Sequence, residues 1–545
     1  MTYLIFFNLI PITFLTFLLL GLFFFFYTKS NLFFFFSLLY LLTFSTLICS
    51  RLFLGVYTDS AVFHWAFAPE QVPIFYSVEY NYLTADFSLL LLFLTLNIHV
   101  YSYIYFKKDP ELSRFALLLG FFVFSMLLMI NSTSFVFIFI AWEGVGLFSF
   151  LLVSFWYSKV STFKSGVKVL FYNRLGDFFF FLSIGFILAV FKTDNTVLVS
   201  ALSSVFDLGR LSFFGYISLK FLLSFCLVIV ILSKSAQYGF HIWLLEAMEA
   251  PLPASALIHS ATLICSGVVL FFKTVFLVVV QPELTALLLL WSSVTVCCLS
   301  FSAFFNYDIK RILAYSTGSH VSLMLALAVT QVNTLGYLYM LVHASTKVFI
   351  FILFGYVIDM NGGIRDLRKM GGFLFNPTLL LLSVWGFAYL SSLPFFILPL
   401  LKDTILLKLP FSNFLADLSI FFFMFSTFFN YFYISRLFFK IFFGDRLSFL
   451  KTYFKGFLYF NNFFIFLPKN TLSKNLNNPL FYLFAYILFF ESNFMGFMDY
   501  DFLHLPFSSL SLTQSFVPNP TLKFMAFSNC FFYLLLGFFA LKLFL

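Results

Sequence analysis

A chain of 545 residues that is 62% hydrophobic and only 10% charged, with a mean hydropathy of +1.02, carries more apolar surface than a water-soluble core can hide. Its apolar runs recur at about 20 residues, the length of a helix that crosses a bilayer, so a soluble enzyme is excluded. The six cysteines (Cys49, Cys226, Cys265, Cys297, Cys298 and Cys530) show no CxxC or metal spacing, which argues against a disulfide framework, a metal site or an iron–sulfur centre.

Phe supplies 94 residues against 6 Trp, often where Leu or Val would serve equally well, and this fits a T-rich codon bias in a small organellar genome. The N-terminal run MTYLIFFNLIPITFLTFLLLGLFFFF lacks the basic region of a secretory signal and the Arg/Ser-rich character of a transit peptide. Insertion from inside an organelle needs neither. Spans are expected near 3–27, 32–55, 82–106, 113–131, 134–156, 168–192, 215–250, 253–279, 284–305, 311–331, 334–359, 376–409, 413–440, 455–468, 478–497 and 528–545. The segment 455–468 is short for a crossing, so the class is an all-α polytopic membrane protein with about 15–16 transmembrane helices.

The charges between these spans alternate. Lys29, Lys107/Lys108/Arg114, Lys159/Lys164/Lys168, Lys310/Arg311, Arg365/Arg368/Lys369 and Lys440/Arg446/Lys451/Lys455 follow odd-numbered spans. Loops such as 57–80, with Asp59, Glu70 and Glu79, are neutral or acidic. Lys and Arg collect on the side of insertion, which places the N-terminus on the opposite, outer side. The net charge of +9 is thereby explained by one membrane face and needs no nucleic acid.

Two spans are longer than a bilayer requires. Segment 215–250 holds Gln237-Tyr238-Gly239 and segment 376–409 holds Pro394 and Pro399, and each is expected to open a helix and free backbone carbonyls. Breaks at corresponding places point to an inverted repeat with a site at its interface. The halves are 113–279 and 284–440, flanked by N-terminal helices with an outer loop (1–112) and by C-terminal helices (441–545).

Ser233 to Ala261, SKSAQYGFHIWLLEAMEAPLPASALIHSA, packs Lys234, Gln237, His241, Glu246, Glu249 and His259 into apolar surroundings. A charge at mid-bilayer costs about 3 kcal/mol, so it needs a partner, a water cavity or a task. Glu143, in AWEGVG, is the candidate partner for Lys234, and a pair whose separation changes would switch the lysine's protonation; a static ion pair is the alternative. His259 and His343 are the next titratable groups, either relaying protons or serving as interhelical hydrogen bonders. His343 and Lys347 are four apart in HASTK and share a helix face. Lys402 and Asp403 point about 100° apart on a helix, so Asp403 need not neutralise Lys402; a surface loop pair is the other reading. Arg174 and Asp177 are read as a structural i, i+3 pair, and Glu246 and Glu249 as carboxylates anchoring a loop before Pro251 and Pro253.

In this order, WEGVGLFSFLLVSFW, NRLGDFFFFLSIG, SKSAQYGFHIWLLEAMEAPLPASALIHSAT, DIKRILAYSTGSH, HASTKVFIFI and IRDLRKMGG resemble the antiporter-like subunits of respiratory complex I, over about residues 80–445. The upstream run LTADFSLLLLFLTLNIHVYSYIYFKKDPELSRF and the Lys402-Asp403 pair favour the chain 5 branch over the chain 4 and chain 2 branches. The resemblance implies two inverted five-helix repeats with broken helices. It also implies Glu143 and Lys234 as a coupling pair, His259 and Lys347 as the central axis, and Lys402 as the exit lysine. Its function would be proton translocation across the mitochondrial inner membrane, coupled to electron transfer from NADH to ubiquinone. NADH, flavin, iron–sulfur clusters and quinone are expected in other subunits, with no cofactor or metal in this chain. Partners would be the other membrane-arm subunits, the chain 4 paralogue above all, and lipid such as cardiolipin beside the basic loops. A subunit of a multi-subunit cation/proton antiporter shares these motifs and is the alternative; a purely structural arm subunit is a third.

The chain also departs from the family pattern. Tyr238 and Leu245 stand where prolines are common, Glu246 replaces an aspartate, and Tyr339 stands where a second histidine often precedes His343. A shallower break at Gly239 is expected, with a water or the Tyr339 hydroxyl completing any relay. A lateral helix of about 100 Å would need nearly 70 residues at 1.5 Å each. Only some 30 residues, with three prolines, separate the spans ending near 497 and beginning near 528. That helix is expected to be shortened, missing or supplied by another chain.

Overall fold

A computed structural model describes residues 58–68, 72–80, 82–106, 109–205, 212–213, 217–279, 281–330, 333–373, 377–390, 402 and 414–444. The spans read at 3–27, 32–55, 455–468, 478–497 and 528–545, the break at Pro394 and Pro399, Asp403 and the lateral-helix segment lie outside them. Among the described residues, nine helical segments, one of them interrupted, are long and apolar enough to cross a membrane. The chain is therefore a multi-pass helical membrane protein.

The described chain falls into two compact units. The first comprises residues up to Val296 with Thr317–Ala344 and Leu409–Phe422; the second comprises Cys297–Ser316, Ser345–Lys408 and the residues from Phe423.

The first unit opens with β1 (Thr58–Ala68) and β2 (Val72–Tyr80), an antiparallel hairpin paired from Thr58↔Tyr80 to Ala68↔Val72. This hairpin stands where a loop, 57–80, is expected from the sequence. Its aromatic and β-branched residues, in VFHWAF and VPIFY, suit a pleated surface. Helices α1 (Tyr82–Tyr105), α2 (Leu112–Asn131), α3 (Phe135–Val153), α4 (Val160–Phe191) and α5 (Thr196–Val205) follow. Thr133 N donates to Ser77 O at 3.0 Å and Phe135 N donates to Asp194 O at 2.8 Å, so the α2–α3 turn ties together the hairpin and the turn after α4.

Helix α4 starts at Val160, not near 168: no proline interrupts Val160 to Lys168, and Gly166 is kept in the helix by close packing against Ser154 and Phe150. Lys164 and Lys168 thus lie on the helix rather than in a loop. After a short β3–β4 hairpin (Ser212–Phe213 and Ile217–Ser218) comes α6 (Leu219–Lys234), which packs against α4.

The expected break is present. Helix α6 ends at Lys234, and Ser235 to His241 run without regular helix into α7 (Ile242–Glu246) and a 3-10 turn. Gly239, the expected opener, has φ +97°, but Ala236 also adopts a left-handed conformation at φ +52°. Such a conformation costs a residue with a Cβ about 1–2 kcal/mol.

The span read as continuous at 253–279 is broken too. It divides into α8 (Leu252–Ser260) and α9 (Leu263–Val278) around Ala261 and Thr262. No proline or glycine marks this point. Instead, Thr262 Oγ1 donates to Leu257 O at 3.0 Å, beside a long bond to it from Ala261 N at 3.4 Å, and Cys265 Sγ contacts Ser260 O at 3.1 Å, so side chains support carbonyls at the break.

Helices α10 (Pro282–Phe305), α11 (Ile309–Val329) and α12 (Asn333–Met360) contribute to both units. The second unit adds α13 (Pro377–Leu390) and most of α14 (Phe414–Phe442). Within it, two of the quoted motifs dock: Ile309 N donates to Arg365 O at 3.1 Å and Leu367 N to Tyr307 O at 2.9 Å. The Asp366 carboxylate grips Arg368 at 2.7 Å, which holds this surface carboxyl below its usual range.

Candidate functional site

Helix α3 is apolar along its length except at Glu143 and Ser149, and its two glycines admit neighbours. A Cβ on Gly144 would stand 3.0 Å from Ser125 Cβ, and one on Gly146 would stand 3.2 Å from Lys234 Nζ. Lys234 closes α6 immediately before the break and is fully buried. Its Nζ donates to Trp142 O at 3.3 Å and lies 4.8 Å from the centre of the Trp142 ring. A cation over an indole face gains about 0.5–2 kcal/mol, which partly offsets its removal from water.

Trp142 passes the network on. Its Nε1 donates to Asp177 Oδ1 at 2.8 Å, and Asp177 lies 3.8 Å from Arg174 Nη1. Arg174 reaches across to α3, where Nη1 approaches Glu143 Oε2 at 2.5 Å. Glu143 therefore makes its ion pair with Arg174 and not with Lys234, and the expected Arg174–Asp177 pair is the looser of Arg174's two contacts. The reason lies in orientation: the Glu143 and Arg174 side chains are 25% and 51% exposed, whereas Lys234 is turned fully inward. The sequence does not mark Arg174 as a site residue, because contact between α3 and α4 leaves no short-range signature.

The break is built from polar side chains that occupy what the helix releases. Trp243 Nε1 donates to Ser233 O at 2.9 Å. Gln237 Nε2 donates to Ser235 O at 3.2 Å, while Thr295 Oγ1 donates to Gln237 Oε1 at 2.7 Å. Gly267 of α9 passes so close that a Cβ there would stand 2.9 Å from Ser235 N. His241 is not in the buried row; its ring stacks on Tyr238 at 5.2 Å, and Nδ1 accepts from Gly239 N at 3.3 Å. Glu246 pairs with Lys168 at 2.5 Å, fitting its reading as a loop anchor.

His259 on α8 is fully buried. His343 on α12 is also buried, and the structure brings to it a residue the sequence reading gave no role: the His320 ring on α11 lies 5.4 Å from the His343 ring. The Tyr339 hydroxyl meets His320 Nδ1 at 2.6 Å. The available signal was a histidine in the middle of the apolar run that forms α11.

In the second unit, Lys347 is fully buried and its Nζ donates to Ser316 Oγ at 2.7 Å. Lys402 is 6% exposed, and its charge acts on Lys347. Asp403 lies outside the described residues. Within the first unit Lys234 and the His259, His320 and His343 imidazoles are buried, with the carboxylates of Glu143 and Asp177 near the lysine; within the second unit Lys347 and Lys402 are buried.

Comparison with known proteins gives this geometry a context. Residues 132–430 match the family described as NADH:quinone oxidoreductase/Mrp antiporter, transmembrane. NADH-ubiquinone oxidoreductase chain 5 of Paramecium tetraurelia is 36% identical over 316 residues, covering 57% of this chain and 55% of that protein. The chain 5 proteins of Chondrus crispus and Acanthamoeba castellanii are 35% and 32% identical, over 55% and 67% of this chain and 45% and 55% of theirs. The chain spans about half the length of these curated relatives. A chain of the Mrp complex from Dietzia sp. shares the fold with a TM-score of 0.70 at 16% identity, covering 96% of this chain and 59% of that one.

Proposed function

Because the chain belongs to the NADH:quinone oxidoreductase/Mrp antiporter transmembrane family, we propose that it is a proton-translocating membrane-arm subunit of NADH:ubiquinone oxidoreductase. It works in the mitochondrial inner membrane, with its N-terminus facing the intermembrane space. NADH oxidation and quinone reduction take place in other subunits. The observation that carries this reading is Lys234: a fully buried amine at the mouth of a broken helix, held by a carbonyl and an indole face, with Asp177, Glu143 and Arg174 close enough to act on its charge.

Each part of that arrangement has a use. While Arg174 occupies Glu143, Lys234 has only neutral direct contacts. Drawing Glu143 across to Lys234 places opposite charges together, and at 4 Å with an effective dielectric of 20 this is worth about 4 kcal/mol. Such a change is nearly three tenfold steps in a protonation equilibrium, enough to load or release a proton. His259, His343 and Lys347 carry the path onward, and Lys402 with Asp403 releases the proton. Electron transfer elsewhere drives the cycle by shifting the field on Glu143.

The test is proton pumping by the assembled enzyme with Lys234→Ala or Glu143→Ala. Loss of NADH-driven pumping is expected, and full pumping with either change removes the pair from the path. The second reading, a subunit of a multi-subunit cation/proton antiporter, is favoured by the fold likeness to the Mrp complex chain. Purification separates the two: co-migration with NADH dehydrogenase activity supports the first, and sodium-dependent transport without it supports the second.

A further inference from the structure

We infer that His320 is a proton-carrying residue, relaying between the Tyr339 hydroxyl and the His343 imidazole. This rests on the proton-translocating reading above and adds a residue to its path. His320 stands halfway along the 21-residue helix α11 (Ile309–Val329), so it lies at the centre of a membrane-crossing element. An ionisable side chain at that depth is costly and marks a path or a relay more often than a structural need.

The surroundings of His320 favour transfer. Tyr339 and His343 are four residues apart and so share one face of α12, and all three side chains are fully buried. Tyr339 Oη lies 2.6 Å from His320 Nδ1, within the reach over which a positioned group hands on a proton. The rings of His320 and His343 are 5.4 Å apart and inclined by 39°, which brings their edges within direct or one-water reach.

The step balances without any other reactant. A proton arriving at Tyr339 Oη displaces the hydroxyl proton to Nδ1 of His320. The ring then gives up the proton from Nε2 toward His343, and imidazole and phenol both end neutral. Return of the ring to its starting tautomer readies it for the next proton. An imidazole can take a proton at one ring nitrogen and release it from the other in this way. An amide at the same position can keep the hydrogen bond to Tyr339 but cannot pass a proton on.

That difference supplies the test, made in the assembled complex in its native membranes with pumping measured beside NADH oxidation. His320→Gln keeps a hydrogen bonder and removes the relay. Loss of a proton-transferring group slows its step by about 100-fold or more, so pumping is expected to collapse while the complex remains assembled. Tyr339→Phe, which removes a single hydroxyl, is expected to do the same, and it decides the matter should His320→Gln fail to assemble. An assembled His320→Gln enzyme, or failing that an assembled Tyr339→Phe enzyme, pumping at the unaltered ratio overturns the inference. Lys234→Ala in the same assay separates the two levels. If it still pumps, the proton-translocating reading fails; if it does not and His320→Gln does, only the role of His320 falls.

Discussion

Gly176→Ala is the sharpest probe of how the Lys234 site is held. A Cβ at this position would overlap Ser233 Oγ and stand 3.0 Å from Ser233 Cβ, on the residue directly before Lys234. Ser233 cannot easily turn aside. Its Oγ donates to Val230 O at 2.7 Å and its carbonyl accepts from Trp243 Nε1 at 2.9 Å, fixing it to both sides of the break. Relief must come from parting α4 and α6, whose close approach depends on small residues as in other membrane bundles. Overpacking of this kind costs about 1–3 kcal/mol. It should appear as a lower melting point of the assembled complex on native gels after graded heating, with reduced pumping per NADH because Lys234 and Trp142 lose their register. The double variant Gly176→Ala/Ser233→Gly restores the space. It should be no less stable than Ser233→Gly alone, which carries only the helix-propensity cost of glycine, about 1 kcal/mol at most. An unchanged melting point for Gly176→Ala, or strictly additive effects in the double variant, would refute the close-packing argument.

Three further expectations follow from single contacts. Arg174→Gln removes the cation on Glu143. The pair lies on two membrane-crossing helices, where a charge without a partner is costly, so pumping should fall; unchanged pumping in the assembled variant would show that Glu143 needs no counter-ion there. Ser316→Ala deprives the buried Lys347 amine of a 2.7 Å acceptor and should cost about 1–3 kcal/mol, whereas Ser316→Thr keeps the hydroxyl; equal heat stability of the two variants would count against this. Burial pushes the Asp194 carboxyl, in the turn after α4, up to about 6. The folded turn therefore binds a proton that the unfolded chain releases near pH 3.9. Its stability is fully present below that pH, falls as pH rises toward 6, and is level above. Asp194→Asn should abolish the fall, measured as protection of the turn from proteolysis between pH 4 and pH 8. A wild-type turn equally protected across that range would contradict the assignment.

What could be read from the residues depended on how far along the chain the deciding interaction reaches. The helices of the described region follow from apolar runs that any bilayer-spanning segment must have, and Lys234 was conspicuous because a single charge within such a run is costly wherever its partners lie. The break after Lys234 was legible through Gly239, whose φ of +97° glycine adopts without strain. The break at Ala261–Thr262 was not, since it is stabilised by a threonine hydroxyl and a thiol on carbonyls five residues back, and neither residue type interrupts a helix by itself. The same limit explains the ion pairs. Arg174 has Asp177 one turn away on its own helix, yet it binds Glu143, 31 positions distant in sequence, because the α3–α4 contact points both side chains toward the same partly exposed face. His320 and Tyr339, 19 positions apart, meet for a comparable reason. Charges buried in membrane helices are thus visible from local sequence as costs, while the partners that compensate those costs are chosen by helix packing. Proton transfer depends on those partners, so its route is the part of this protein that only three-dimensional proximity reveals.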